Sequence, residues 1–246
     1  MSNLVDVHIH IDYYKNHQEI YNWFDVNKIY AVFVTNLPEI YEKCITTFRP
    51  SKYIAIALGY NPQFVGKYKF NNVIFDRNLE RVKYIGEVGL DFSKEYIGYK
   101  SEQLEVFDYI CKKTSKENKI LSVHSRNAEE DVLSILIKNK VQFAIFHWYT
   151  GEVELIDKIL RAGYYFSINS SMLYNNKGKK ILDAISLDRV LIETDGPFGK
   201  LDNKPSHPFY LSRAYKSFGE YFGIDDFDKA IFVNLKTLLT AHKTVQ

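Results

Sequence analysis

The chain has 246 residues, 46% hydrophobic and 25% charged, and its 32 basic and 30 acidic residues leave a net charge of +2. This is the composition of a folded globular chain, not of a disordered or fibrous one. No global basic field announces nucleic acid, so any site for a polyanion has to be local. No apolar run approaches the roughly 18 residues a membrane helix needs. Length predicts one unit over 1–246, of a size common among α/β barrels.

In chain order, eight short runs rich in β-branched and aromatic residues read as strands: Leu4–His8, Tyr30–Thr35, Tyr53–Leu58, Tyr84–Val88, Ile120–His124, Phe143–His147, Tyr164–Ile168 and Arg189–Glu193. Each is followed by a stretch long enough for a returning helix. Ser101–Lys116 carries Leu104, Phe107, Ile110 and Cys111 at helical spacing, with charges on the other face. Asn127–Ile137 reads as a helix with Asn127 as N-cap and three acids near its positive end. The tail reads as two helices, about Pro208–Phe222 and Asp226–His242. Eight βα units in this length predict a TIM (β/α)8-like barrel with parallel strands, and the other candidate is a doubly wound open sheet.

Cys44 and Cys111 form neither a CxxC pair nor a disulfide framework, which suits a reducing compartment. The start, Met1-Ser2-Asn3-Leu4-Val5-Asp6, has no basic segment followed by an apolar one. The expectation is therefore no secretory leader and a cytoplasmic location.

Polar residues fall in a pattern. Asp6-Val7-His8-Ile9-His10, Gly86-Glu87-Val88-Gly89-Leu90-Asp91, His124-Ser125-Arg126, His147-Trp148-Tyr149 and Glu193-Thr194-Asp195-Gly196-Pro197 all stand at or just past strand ends. In a closed barrel those ends share one face, where barrel enzymes keep their active sites. His8 and His10 point the same way on a strand and can bind one divalent ion, with Asp6 placed to orient an imidazole from behind. Four His and two acids, Glu87 and Asp195, exceed one tetrahedral site and suit two bridged metals. Singly, each has a plainer reading: strand alternation for the HxH pair, a salt bridge for Glu87, an Asx turn for Asp195. His17 and His242 read as surface or helix-end residues, and His207 as a helix start.

Together DVHIHID, GEVGLDF, VHSRNAEED, FHWYTG and IETDGPF resemble the TatD family of metal-dependent deoxyribonucleases in the amidohydrolase superfamily. The resemblance runs from Asp6 to about Leu239. It implies a barrel with two divalent metals (Zn, Mn or Mg) held by His8, His10, Glu87, His124, His147 and Asp195. Glu87 would bridge, and Asp195 would position or deprotonate the attacking water. The implied activity is 3′→5′ exonuclease cleavage of DNA, at single strands or strand ends. The His-rich set favours zinc or manganese on softness.

Arg126 falls where a guanidinium would hold phosphate oxygens, unless it pairs with Glu129 or Glu130. Trp148 and Tyr149 would stack on a base or pack in the core. Lys94, Lys177, Lys179, Lys180, Lys200 and Lys204 lie in strand-to-helix loops and would guide a strand or simply face solvent. One departure stands out. The family carries His in a Gly-x-His-Pro turn, and here the turn is Gly59-Tyr60-Asn61-Pro62, so Asn61 meets the substrate without a titratable group. The loop Gly199–Pro205 also departs from the family pattern. Short, divergent members occur in anti-phage gene clusters, including the TatD-like component of the Qat system, which extends the expectation to antiviral defence with other subunits as partners. Two further functions stay open on the residues alone. One is an amidohydrolase-type deacylase or esterase, acting on a small molecule or an aminoacyl-tRNA. The other is a non-catalytic subunit of a defence complex.

Overall fold

The computed structural model describes residues 3–202 and 204–245. Eight parallel strands run β1 (Val5–Ile9), β2 (Tyr30–Phe33), β3 (Ile54–Ile56), β4 (Tyr84–Gly89), β5 (Ile120–His124), β6 (Phe143–His147), β7 (Tyr165–Ile168) and β8 (Val190–Ile192). Backbone ladders join β1 to β2 to β3, and β4 through β8 in order. Two seams connect these sheets. Leu58, beyond β3, pairs in parallel with Ile85 of β4. At the other seam the Asp195 N–H donates to the His8 carbonyl at 3.0 Å, and the His10 N–H to the Gly196 carbonyl at 3.0 Å. The result is the expected barrel.

Between the strands lie α1 (His17–Asn27), α2 (Pro38–Thr47), α3 (Asn72–Leu79), α4 (Lys100–Thr114), α5 (Glu129–Lys138), α6 (Val153–Arg161) and α7 (Asn176–Ala184). Strand parity explains the layering. Val5, Val7 and Ile9 are fully buried on one parity of β1, while Asp6 and His8 are equally buried on the other. Barrel strands are covered on both faces, so alternation here separates helix-facing from lumen-facing residues rather than core from solvent. Local chemistry sets the helix ends. Pro38 opens α2, Asn71 Oδ1 caps α3 at the Ile74 N–H, and Asn175 Oδ1 caps α7 at the Gly178 N–H.

Some expectations need correction. β3 and β8 are shorter than Tyr53–Leu58 and Arg189–Glu193: Arg189 belongs to the turn Leu187–Arg189 before β8, while Tyr53, Ala57, Leu58 and Glu193 bond neighbouring strands from just outside the regular segments. Asn127 does not cap α5. It sits at φ 54° in the left-handed region that asparagine tolerates, and Ala128 takes the cap position. His242 lies in the last turn of the C-terminal helix, but its ring is buried and meets Phe143 edge to face.

The tail forms α8 (Leu211–Phe222) and α9 (Phe227–Thr244), split at Gly223, whose φ of 68° ends α8. These helices cover the barrel's N-terminal end. Tyr215 Oη lies 3.0 Å from the Val5 nitrogen and 3.1 Å from its carbonyl oxygen. Asn234 Nδ2 donates to the carbonyls of Leu187 and Val190 at 2.7 and 2.8 Å. A short hairpin of β9 (Lys200–Leu201) and β10 (Lys204–Pro205) lies between barrel and tail. Among the described residues no helix is long and apolar enough to cross a membrane.

Gly59 shows how tightly the mouth is built. A Cβ there would meet the Thr35 carbonyl at 1.8 Å and the Gly86 carbonyl at 2.5 Å, whereas nothing lies within 4 Å of one at Gly98. Gly59→Ala is therefore expected to lose about 1–3 kcal/mol of stability to overpacking. Gly98→Ala serves as the control, with a shift inside about 0.5 kcal/mol. Urea unfolding of both variants checks this.

Candidate metal centre

The six residues that the sequence scatters between positions 8 and 195 meet in one place. His8 and Glu87 lie within β1 and β4, His124 and His147 end β5 and β6, and His10 and Asp195 follow β1 and β8. Glu87 stands at the middle. Its Oε2 faces His10 Nε2 at 3.3 Å and His8 Nε2 at 3.9 Å. Its Oε1 faces His124 Nδ1 at 2.7 Å and His147 Nε2 at 2.9 Å. Asp195 Oδ1 completes the first half, 3.7 Å from His8 Nε2 and 3.6 Å from His10 Nε2. The His8 and His147 rings stack with centroids 4.0 Å apart, so the two halves share a wall.

A ring of polar side chains fixes these groups from outside. His8 Nδ1 lies 2.7 Å from Ser122 Oγ. His124 Nε2 lies 3.0 Å from Asp91 Oδ2, and Asp91 also accepts from Gln63 Nε2 at 2.8 Å. His147 Nδ1 is 3.6 Å from Glu193 Oε1, an ion-pair separation, and Glu193 is held by the Ser167 hydroxyl and the Asn169 amide. Such outer partners set the orientation and basicity of an imidazole. Asp6 does something else than expected. Its carboxylate accepts from Thr194 Oγ1 at 2.6 Å and the Thr194 N–H at 2.9 Å, so it anchors the loop carrying Asp195 instead of orienting an imidazole. Asp91, Gln63, Ser122 and Glu193 received no role from sequence. Asp91 and Glu193 were visible inside GEVGLDF and IETDGPF, but a supporting acid has no signature apart from its partner.

Burial opposes charge at every one of these positions, and neighbouring charge answers it. Burial alone would raise the Glu87 carboxyl, yet His147, His10 and His124 hold it well below the usual range. His147 is raised well above an ordinary histidine by Glu87 and Glu193 despite its burial. His8 moves far down, because burial and the nearby His147 both disfavour its cation. Burial pushes Asp195 up, against the pull of His147 and His10.

The donor set fits divalent cations. His8, His10 and Asp195, and likewise His8, Glu87 and His147, bring one donor each within 4.8 Å of one another. The His8–His10 and His10–Glu87 separations are both 3.3 Å. Those match the edge of about 3.4 Å expected around a tetrahedral ion with bonds near 2.1 Å. His10 Nδ1 and His147 Nδ1 are buried without hydrogen-bond partners among the described residues, so of the four imidazoles His8 and His124 are the ones hydrogen-bonded from outside, by Ser122 and Asp91.

The centre opens into a cavity of about 600 Å3. Arg126 lines it and pairs with neither Glu129 nor Glu130 among the described residues. Asn61 lines it too, but faces inward. Its Nδ2 donates to Glu87 Oε2 at 2.5 Å and to Asn36 Oδ1 at 3.0 Å, while its Oδ1 accepts from the Gln63 N–H. Asn61 thus steadies the central carboxylate. Tyr149 is a correction. Its ring is buried against Phe166 and its hydroxyl donates to the Glu152 carbonyl, so it belongs to the core. Trp148 lines the cavity in its place, at φ 36°. Of the six loop lysines only Lys177 reaches the cavity lining, 3.3 Å from Glu152. His207 caps the turn before α8, and His17 opens α1.

The Asp91–His124 pair yields a measurable expectation. Asp91→Asn should weaken divalent-metal affinity by about 10- to 100-fold. The matching observation is a smaller rise in melting temperature on adding Mn2+ or Zn2+ than the wild type shows. An unchanged metal-induced shift would mean that Asp91 does not support His124.

Comparison with known proteins agrees with this geometry. Residues 5–240 match the family model for TatD-related DNases. An uncharacterized metal-dependent hydrolase of Methanocaldococcus jannaschii is 30% identical over 204 residues, covering 79% of this chain and 78% of that protein. Human deoxyribonuclease TATDN3 is 28% identical over 155 residues, which span 61% of this chain and 57% of that protein. The crystal structure of YjjV, a TatD homolog of Escherichia coli, superimposes with a TM-score of 0.82 at 18% identity, covering 96% of this chain and 98% of that one. With the family model matched from the first strand into the last helix, the chain belongs to the TatD-related DNase family of metal-dependent hydrolases.

Proposed function

We propose that the protein is a 3′→5′ exonuclease that hydrolyses phosphodiester bonds of DNA with two divalent ions, zinc, manganese or magnesium. The observation that carries this reading is the division of Glu87, with one oxygen toward His8 and His10 and the other toward His124 and His147. A carboxylate so divided suits a pair of cations, one in each half. Deoxyribonuclease names among the relatives support DNA as substrate.

When bound, such a pair supplies Lewis acidity and lowers the pKa of coordinated water. His8, His10 and Asp195 would hold one ion, His124 and His147 the other, and Glu87 both. Asp195 would orient the attacking water. It takes the water's proton as the new O–P bond forms. The bond to the 3′ oxygen of the preceding nucleotide breaks, and a proton ends on that oxygen. Asn61 cannot supply it, because its amide does not exchange protonation state near neutrality. The proton therefore comes from Asp195 or from solvent. Arg126 offers a planar fork for the non-bridging phosphate oxygens.

Incubating the purified protein with single-stranded DNA, RNA and ester substrates in Mn2+ or Mg2+ tests the reading. DNA cleavage should be abolished by EDTA and fall by about 100- to 10,000-fold in Asp195→Asn, the range for loss of a general base. Arg126→Ala should raise KM more than it lowers kcat. Turnover of esters with DNA left intact would refute the proposal.

A further inference from the structure

Two large aromatic rings stand half in solvent at the mouth of the cavity. Tyr13 and Phe198 are 45% and 49% exposed, and both line the cavity beside His10. Most rings in this chain are packed away, so exposure of two together beside a polar centre calls for an occupant. Each ring sits on a short turn leaving a strand of the first half-site. Tyr13 ends the turn Ile11–Tyr13, with its N–H on the His10 carbonyl at 3.2 Å. Phe198 closes a turn back on Asp195, with its N–H on the Asp195 carbonyl at 2.7 Å. The rings meet edge to face, centroids 5.0 Å apart. Each also stands edge-on to the His10 imidazole, at 5.7 and 5.2 Å.

This mutual packing fixes the orientation of both rings while leaving part of each open. The same cavity carries the cations of Arg126 and Lys177, which suits a ligand that is flat and apolar at one end and anionic at the other. We propose that Tyr13 and Phe198 form the stacking platform for the nucleobase next to the scissile phosphate. The inference rests on the phosphodiesterase reading above. Because the two turns start from His10 and Asp195, a base seated on the rings carries its phosphate toward the half-site those residues build. Stacking of this kind tolerates any base, since every base presents a π-face. The platform therefore gives affinity without reading sequence.

The test pairs protein rings with substrate bases. Single-stranded oligonucleotides carry either a normal terminal nucleotide or an abasic one at the same position, in Mn2+. For the wild type, removing the base should raise KM by about 5- to 150-fold, the span of one base–aromatic stack. The Tyr13→Ala/Phe198→Ala double variant should show a comparable rise on the normal substrate and little further change on the abasic one. Tyr13→Phe and Phe198→Tyr should retain the wild-type response. Melting temperature and bound metal establish that the variants are folded, and Tyr13→Leu with Phe198→Leu replaces the double alanine variant if it is not. Equal sensitivity to the missing base in wild type and double variant overturns the platform while leaving the nuclease reading intact. A wild-type protein that cleaves no DNA overturns the nuclease reading, and the platform with it.

Discussion

The buried carboxylate of Glu87 is the constraint around which the rest of the mouth is arranged. A lone carboxylate so far from water carries a large desolvation cost unless opposite charge and hydrogen bonds surround it. Here His10, His124, His147 and the Asn61 amide supply them, from four separate places in the chain. Satisfying one carboxylate therefore requires β1, β4, β5, β6 and the turn after β3 to hold their register at once. Fold and site are coupled through that requirement. Asn61 fits this picture without proton chemistry, because a hydrogen-bond donor on a fixed turn is enough to position Oε2.

The mouth also accepts local strain. Asn127, Trp148 and Asp195 all have positive φ, at 54°, 36° and 45°, and all three line the cavity. Residues with side chains avoid this region, and such outliers gather at functional sites. The ties that hold Asp195 there are visible: its N–H on the His8 carbonyl, and its neighbour Thr194 clamped by Asp6. The opposite end of the barrel is built differently. There Tyr215 and Asn234 stitch the tail helices to the starts of β1 and β8, and the positive-φ residues Lys28, Asn118 and Lys140 only turn the chain from a helix into the next strand, away from the cavity. Barrels commonly divide labour this way, with stability at the N-terminal face and chemistry at the C-terminal face.

Much of this is legible in the sequence. Ile120–His124 and Phe143–His147 were bounded as the strands they form, because β-branched runs closed by polar residues leave little ambiguity. His8 and His10 declared a common face through strand parity alone. Other residues misled for definite reasons. Tyr149 and Trp148 are adjacent, and nothing local says which ring turns inward; the left-handed backbone at Trp148 decides it. Asp6 reads as a support for an imidazole, but Thr194 reaches it from just beyond β8. Tyr13 and Phe198 carried no distinguishing signal, since their significance lies in meeting each other across 185 positions of chain.

The division follows from what each level of structure encodes. Strand period, helix faces and the motifs at strand ends are properties of neighbouring residues, so the sequence by itself determined the barrel class, the family and the six convergent donors. Which oxygen of Glu87 serves which imidazole depends on where separate strands come to rest, and so does the choice of acid behind each ring. The hydrogen bond from Asn61 to that carboxylate depends on it too. Only ring closure, which brings β8 against β1 and β3 against β4, sets those distances, and so only the tertiary structure decided them.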